Sequence, residues 1–354
     1  MTEYYFFLAI TMFLAMIYEK KPKNTKVFFM LLAVMVLFAG LRSAEVGTDA
    51  SGYARSFEED SRALEGSWKE QITEEAGFFY LSKYLSMISN QYWVLFTGIA
   101  LLTYSCVITA IKRETNNLRI PLFVFITLGL YTFVFNAARQ GIAVGIYMLS
   151  FKYLFEHKKT GFLKYSVFVL LAALFHKTVI IALPLYFLFR LKYSIKILMI
   201  ISGIGVAIGM FLPSFLAYAG VIEARYALYS TQASGGELLT LFYVLVTAFF
   251  IFWRNRIDII YLPKYDVFLN MMLFGTLIYV VVQVNGVYVE MTRFAAYFQV
   301  ASVFLWAFIY QSKFKRPKDL FSLAIIVGHI IFYSIFCMRM ANLTPYMFNP
   351  HLCS

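Results

Sequence analysis

Residues 195–217 read Ile-Lys-Ile-Leu-Met-Ile-Ile-Ser-Gly-Ile-Gly-Val-Ala-Ile-Gly-Met-Phe-Leu-Pro-Ser-Phe-Leu-Ala. Gly203, Gly205 and Gly209 superficially offer a dinucleotide loop, but their spacing is GxGxxxG and they lie inside an apolar run. A run of this length suits the ~20 residues that a hydrocarbon crossing takes. Gly205 and Gly209 are then a helix-packing surface, and Gly141 and Gly145 are read in the same way.

Eleven further apolar runs flank this one, giving in all roughly 4–18, 27–41, 92–111, 120–135, 141–155, 163–175, 178–189, 195–217, 238–253, 265–288, 294–310 and 319–338. The 354 residues are 61% hydrophobic, 19% aromatic and 14% charged. Soluble domains are about 45–50% apolar and about 25% charged, so a soluble core of this composition lacks the polar surface to cover it. The expected fold is an all-α polytopic integral membrane protein of about 12 transmembrane helices, with 1–354 as one domain. Several runs hold too few residues to cross the bilayer alone, so their polar flanks must lie at membrane depth. Cys106, Cys337 and Cys353 form neither a disulfide framework nor a CxxC pair. The opening Met-Thr-Glu-Tyr-Tyr lacks the basic region of a cleavable signal.

Orientation follows from lysine and arginine in short loops. Glu19–Lys26 carries four lysines, and alternation makes 112–119, 156–164, 190–196, 254–264 and 313–319 cytoplasmic as well. The net charge of +12 then divides into +15 inside and −3 outside. The inner excess sets topology and meets anionic lipid, so no nucleic-acid partner is needed. Both termini are expected on the periplasmic side, together with one large loop (about 42–91) and a smaller one at 218–237. The large loop reads as turns with one short helix near Phe78–Ile88.

The outer ends of different runs carry charges that topology does not explain: Arg42, Arg139, His176, Arg225, Glu290, Arg293 and Arg339. Taken singly, each fits an interfacial or helix-pairing role. An ionised group within the bundle costs at least about 2.5–3.5 kcal/mol, so several on one face imply a hydrated cavity. Arginine there points to planar recognition of phosphate or carboxylate. Gly47 permits a turn that brings Thr48 and Asp49 back over the bundle. His329 reads as a hydrogen-bonded packing residue, and Gln283 and Asn285 as interhelical hydrogen-bonding groups. No HxxxH or HExxH spacing occurs among the four histidines, so no metal site is expected.

Leu41-Arg-Ser-Ala-Glu-Val-Gly-Thr-Asp49 with Tyr53 resembles the opening signature of EpsG-type polysaccharide polymerases, Wzy-like enzymes of O-antigen, capsule and exopolysaccharide assembly. Glu75-Ala-Gly-Phe78, Asn136-Ala-Ala-Arg-Gln140, His176-Lys-Thr178, Arg225-Tyr226 with Tyr229, Arg293 with Tyr297, and Pro345-Tyr346 follow in the same order. The tail after Tyr346 departs from the pattern, which has another aromatic residue near Phe348. The resemblance implies a glycosyltransferase of the bacterial inner membrane, without cofactor or metal. It would join undecaprenyl-diphosphate-linked oligosaccharides, which serve as both donor and acceptor, in O-antigen or related lipopolysaccharide biosynthesis. Membrane lipid, a chain-length regulator and a repeat-unit flippase are the implied partners.

Such transfer needs a base at the acceptor hydroxyl and cations at the leaving diphosphate. Asp49 is the first candidate base, with Glu75 and Glu290 as rivals. Arg42, Arg139 and Arg293 are assigned to the diphosphate, with Arg225 next. His176 would donate to phosphate or orient the acceptor, while Gln140, Tyr53 and Tyr226 would contact sugar. In-line attack would invert the anomeric centre. Two other classes remain open: a lipid-linked oligosaccharide flippase or exporter, and a membrane glycan acyltransferase. A flippase would carry functional charge at the midplane or on both faces, often with inverted repeats, and no repeat is visible here. An acyltransferase would place its histidine and arginine where acyl-coenzyme A arrives.

Overall fold

Segments this apolar must satisfy their backbone N–H and C=O groups internally, which favours helices over open strands. The computed structural model describes residues 1–22, 24–62, 75–115, 117–156, 160–222, 236–313 and 320–350. Among these residues the chain is helical, with no strand beyond a single bridge between Arg42 and Phe348. The α-helices run α1 Thr2–Lys20, α2 Thr25–Gly40, α3 Ala50–Arg62, α4 Ala76–Ser86, α5 Tyr92–Glu114, α6 Arg119–Thr127, α7 Phe133–Asn136, α8 Ala138–Met148 and α9 Thr160–Ala173. They continue as α10 Ala182–Phe189, α11 Ile195–Ile222, α12 Glu237–Trp253, α13 Leu262–Val284, α14 Ala296–Gln299, α15 Ala301–Lys313 and α16 Leu320–Arg339.

Met1–Leu183 and Arg316–Ser354 form one compact unit, and Pro184–Lys315 forms another. In the first unit α5 is central, flanked by α2, α3, α4 and α8. Gly40 makes the α2 contact possible, because a Cβ there would lie 2.8 Å from the Thr97 Cα. Gly145 of α8 similarly faces the Thr103 backbone of α5. The Glu19 carboxylate accepts the N–H groups of Leu118 and Arg119 at 3.0 and 2.9 Å. A carboxylate is favourable at that helix start, where the backbone donors and the dipole both point to negative charge. In the second unit α13 is packed by α11, α12, α14 and α15. Gly205 meets Leu277 and Gly209 meets Asn285, so these glycines do form a helix-packing surface.

Among the described residues, six helical segments are long and apolar enough to cross a membrane: Tyr92–Glu114, Ile195–Ser214, Glu237–Arg256, Leu262–Val284, Glu290–Ser312 and Leu320–Arg339. Thr25–Gly40, Thr160–Ala173 and Lys177–Phe189 are apolar but shorter. The run 120–135 is not one helix. Gly129 at φ +74° ends α6, and the chain restarts as α7. The 42–91 segment also differs from expectation, for it holds two described helices rather than one. The expected helix is α4. The additional α3 buries Ala50, Ala54 and Phe57 along one face, and its Glu58 accepts the Tyr92 N–H at 3.2 Å at the start of α5. Asn285 bonds to the Val281 carbonyl of its own helix at 2.9 Å, so that contact is not interhelical.

Gly40→Ala should lower the thermal midpoint of the purified protein by forcing α2 from α5. Gly52→Ala, in α3 with nothing within 4 Å of its added carbon, should leave it unchanged or raise it. Equal midpoints for the two variants would contradict this packing.

Candidate functional site

Beyond α2 the chain turns through Leu41–Asp49. Arg42 points inward, 3% exposed, with its guanidinium 4.0 Å from the Phe96 ring centre and 4.1 Å from that of Phe135. Its Nε donates to the Val46 carbonyl at 3.3 Å, and a terminal nitrogen donates to the Ala39 carbonyl. Burial pushes the guanidinium down to about 10, which leaves it charged at neutral pH. These partners are backbone carbonyls and ring faces, and the guanidinium assigned to the diphosphate is enclosed by them.

The same turn is fixed from two directions. Ser43 N–H donates to Met347 O and Asn349 N–H to Leu41 O, both at 2.8 Å. Gly47 adopts φ +115°, and a Cβ there would stand 2.6 Å from Phe135 O and 2.7 Å from Asn136 Oδ1. Glycine is required both for that backbone conformation and for the space. Asn136 then staples three segments: its Oδ1 accepts the Thr48 N–H at 2.9 Å, and its Nδ2 donates to Ala341 O at 3.0 Å. Half-buried Asp49 follows at once. Its Oδ1 accepts the Thr48 hydroxyl at 3.0 Å, and its carbonyl accepts the Tyr53 N–H at 3.2 Å.

Tyr53 leads to the central cluster. Its ring stands edge-on to Phe78 at 5.8 Å, and the Arg139 guanidinium lies 5.0 Å from the Phe78 ring centre and 5.9 Å from that of Tyr53. Glu75, directly before α4, receives Arg139 on Oε2 at 3.4 Å and His176 Nδ1 on Oε1 at 2.6 Å. Gly77 permits this approach. Its N–H donates to Leu174 O at 2.8 Å, and a Cβ would sit 3.0 Å from that oxygen. Burial works to raise the Glu75 carboxyl, but the His176 hydrogen bond and the charges of His176 and Arg139 outweigh it and hold it below its ordinary value. A carboxylate can only accept, so His176 Nδ1 carries the shared hydrogen and Nε2 is the remaining ring nitrogen. Arg139 is 39% exposed as a side chain, yet its Nε is buried with no hydrogen-bond partner among the described residues. Burial raises the Tyr53 phenol, opposed by the nearby Arg139 charge.

The structure thus brings Glu75, His176, Arg139 and Tyr53 together, with Asp49 one helical turn from Tyr53. Gln140 is buried beside Arg139 on α8. Glu290 and Arg293 pair with each other at 3.1 Å in the second unit. Arg225 and Tyr226 lie outside the described residues. Arg339 is exposed, and buried His329 bonds to the Thr127 hydroxyl at 2.8 Å as a packing histidine. Sequence reasoning passed over Asn136 as the staple, although it opens the Asn136–Gln140 motif. An amide amid apolar residues was the available signal.

Apolar helices of spanning length, with a carboxylate clamped by imidazole and guanidinium beside aromatic rings, define the class: a helical membrane protein with a polar cluster. The chain belongs to the EpsG family, whose family model matches residues 25–348. That family is one of glycosyltransferase-like polysaccharide polymerases. No curated protein and no solved structure matches the chain.

A carboxyl held low in the folded state stabilises that state above its unfolded value, and the effect is lost as pH falls through the folded value. The stability gap between the native chain and Glu75→Gln should therefore hold near neutrality and shrink below about pH 4. Thermal midpoints across pH check this; a gap unchanged into the acid range would contradict the clamp.

Proposed function

We propose that the protein polymerises undecaprenyl-diphosphate-linked oligosaccharide repeat units on the periplasmic face of a bacterial inner membrane, in O-antigen or related surface-polysaccharide biosynthesis. The supporting observation is the Glu75–His176–Arg139 cluster in a chain matched to the EpsG family over residues 25–348. In this reading Asp49 takes the proton from the acceptor's non-reducing-end hydroxyl. The freed oxygen attacks the anomeric carbon of the donor chain. The bond from that carbon to the phosphate oxygen breaks with inversion, and undecaprenyl diphosphate leaves.

Glu75 is a poor base here, because its carboxylate already serves two donors and is held low. We assign it to orienting His176 and Arg139. Arg139 keeps part of its guanidinium surface open to a phosphate, and the His176 ring nitrogen Nε2, which does not contact Glu75, is proposed as a second polar contact there. Tyr53 and Gln140 are proposed sugar contacts. Arg42, enclosed by rings and carbonyls, is assigned to holding the Asp49 turn rather than to touching substrate. Glu290 remains a proposed alternative base, and Arg225, Tyr226 and Arg293 remain proposed substrate contacts. No step needs a metal or cofactor, since arginine and histidine supply the positive charge.

About twelve crossings with both termini periplasmic remain the proposed topology, with the chain acting as one polymerase domain. The first unit supports the alternation. Glu19 joins Leu118 and Arg119, all assigned inside, whereas the contacts among 41–53, 75–78, 136–139, 174–176 and 341–349 join segments all assigned outside. A repeat-unit flippase and a chain-length regulator are proposed partners.

Deleting the gene and separating surface glycolipids by size tests this reading. Single-repeat molecules should persist while the ladder of longer chains disappears; loss of both would indicate a flippase. On complementation, Asp49→Asn should restore no ladder at normal protein level, and Arg139→Lys should restore little, because lysine lacks the planar two-donor edge. Full-length chains from Asp49→Asn would remove its role as base.

A further inference from the structure

Helix α4 and the turn after it present an apolar stripe that packing among the described residues leaves uncovered. Phe78, Phe79 and Ser82 are buried, while Tyr80, Tyr84, Met87 and Ile88 are exposed by 44%, 63%, 69% and 73%. Tyr80 and Tyr84 share one helical face, where their rings stack at 6.4 Å, and Met87 and Ile88 lie in the turn that directly follows the helix. Lys83 is the only charged residue in 76–88, in contrast to α3, which carries Glu58, Glu59 and Asp60. Eleven residues span only about 16 Å, so α4 cannot cross a bilayer.

The neighbours of α4 set its depth. Leu85 fills the space above Gly98, where a Cβ would meet its Cδ1 at 2.4 Å. Gly98 lies more than a turn inside the spanning segment Tyr92–Glu114. At its other end α4 is tied through Gly77 to Leu174, just beyond the apolar helix Thr160–Ala173. On the elements that hold α4, Leu101 of α5 is 50% exposed, and Leu170 and Leu174 are 53% and 47% exposed. Those leucines belong to the lipid-facing surface of a membrane protein, and two tyrosines suit the headgroup boundary.

We infer that α4 lies in the lipid–water boundary on the side that bears Glu75, with Tyr80, Tyr84, Met87 and Ile88 against acyl chains. Glu75 immediately precedes this helix. The embedded stripe fixes the depth of Glu75, and through it that of His176 and Arg139, where the headgroup phosphates of a lipid meet hydrocarbon. The inference rests on the membrane character of the chain and stands apart from the glycosyl-transfer chemistry.

Nitroxide labelling tests it in proteoliposomes of phosphatidylethanolamine and phosphatidylglycerol. The full chain carries Cys106→Ser, Cys337→Ser and Cys353→Ser, with a single label at Tyr84→Cys or Ile88→Cys. Leu101→Cys provides the lipid reference and Arg55→Cys, on exposed α3 surface, the aqueous one. Labels at 84 and 88 should collide with dissolved oxygen several-fold more than with a water-soluble nickel chelate, as at 101. Nickel accessibility at both sites equal to that at 55, in variants whose thermal midpoints match the cysteine-free parent, would overturn the inference and leave the tyrosine pair facing water, as a glycan contact would.

Discussion

A carboxylate among apolar helices is tolerated only when its charge is answered, and Glu75 is answered twice. Its partners come from far along the chain, Arg139 at a separation of 64 residues and His176 at 101. The three groups are therefore a tertiary junction as well as a polar centre, and each depends on the others. Without Glu75, the Arg139 guanidinium and the His176 imidazole would lose the acceptor that joins them. Without either donor, the carboxylate would lose the contacts that offset its burial. The close seating of Gly77 against Leu174 follows from the same requirement, since a side chain there would hold Glu75 away from His176.

Arg42 and Arg139 show how differently two arginines serve one region. The Arg42 guanidinium is flanked by Phe96 and Phe135 and bonded to main-chain carbonyls, and it continues an aromatic column in which Tyr131 stacks on Phe7 and Tyr104. One of its identified donors ends on the turn it supports, at Val46, and the other on the last turn of α2, at Ala39, so it ties the Asp49 segment to that helix. Arg139 keeps part of its surface open and rests on Phe78 with a carboxylate behind it. A charged group on a preorganised, partly desolvated mount acts more strongly than one in water.

Much of this was legible in the residues. Composition and run spacing pointed to an all-α membrane fold, and charge asymmetry marked the ends where polar groups now meet. Asn136–Gln140 and His176–Thr178 stood out because strongly polar side chains interrupted short apolar runs. The obscure parts have physical causes. Helix α3 hides behind a charged composition with Ser51 and Gly52 near its start, and only the spacing of Ala50, Ala54 and Phe57 betrays it. The break in 120–135 turns on Gly129 adopting a positive φ, which hydrophobicity does not register. Arginine at a run end signals a phosphate and an aromatic sandwich equally well, so the place of Arg42 had to come from the fold. The pairing of Glu75 with His176 is a matter of tertiary distance.

The proposed reaction is bond formation between lipid-linked glycans at a centre of protein side chains. The most direct measurement reconstitutes the purified chain in liposomes with one lipid-linked repeat unit and follows glycan size and released undecaprenyl diphosphate together. A polymerase of this kind should yield a ladder of multimers with one carrier diphosphate freed per new linkage, in the presence of a metal chelator and without nucleotide sugar. Repeat units that cross the bilayer but keep their length, with no carrier released, would contradict it.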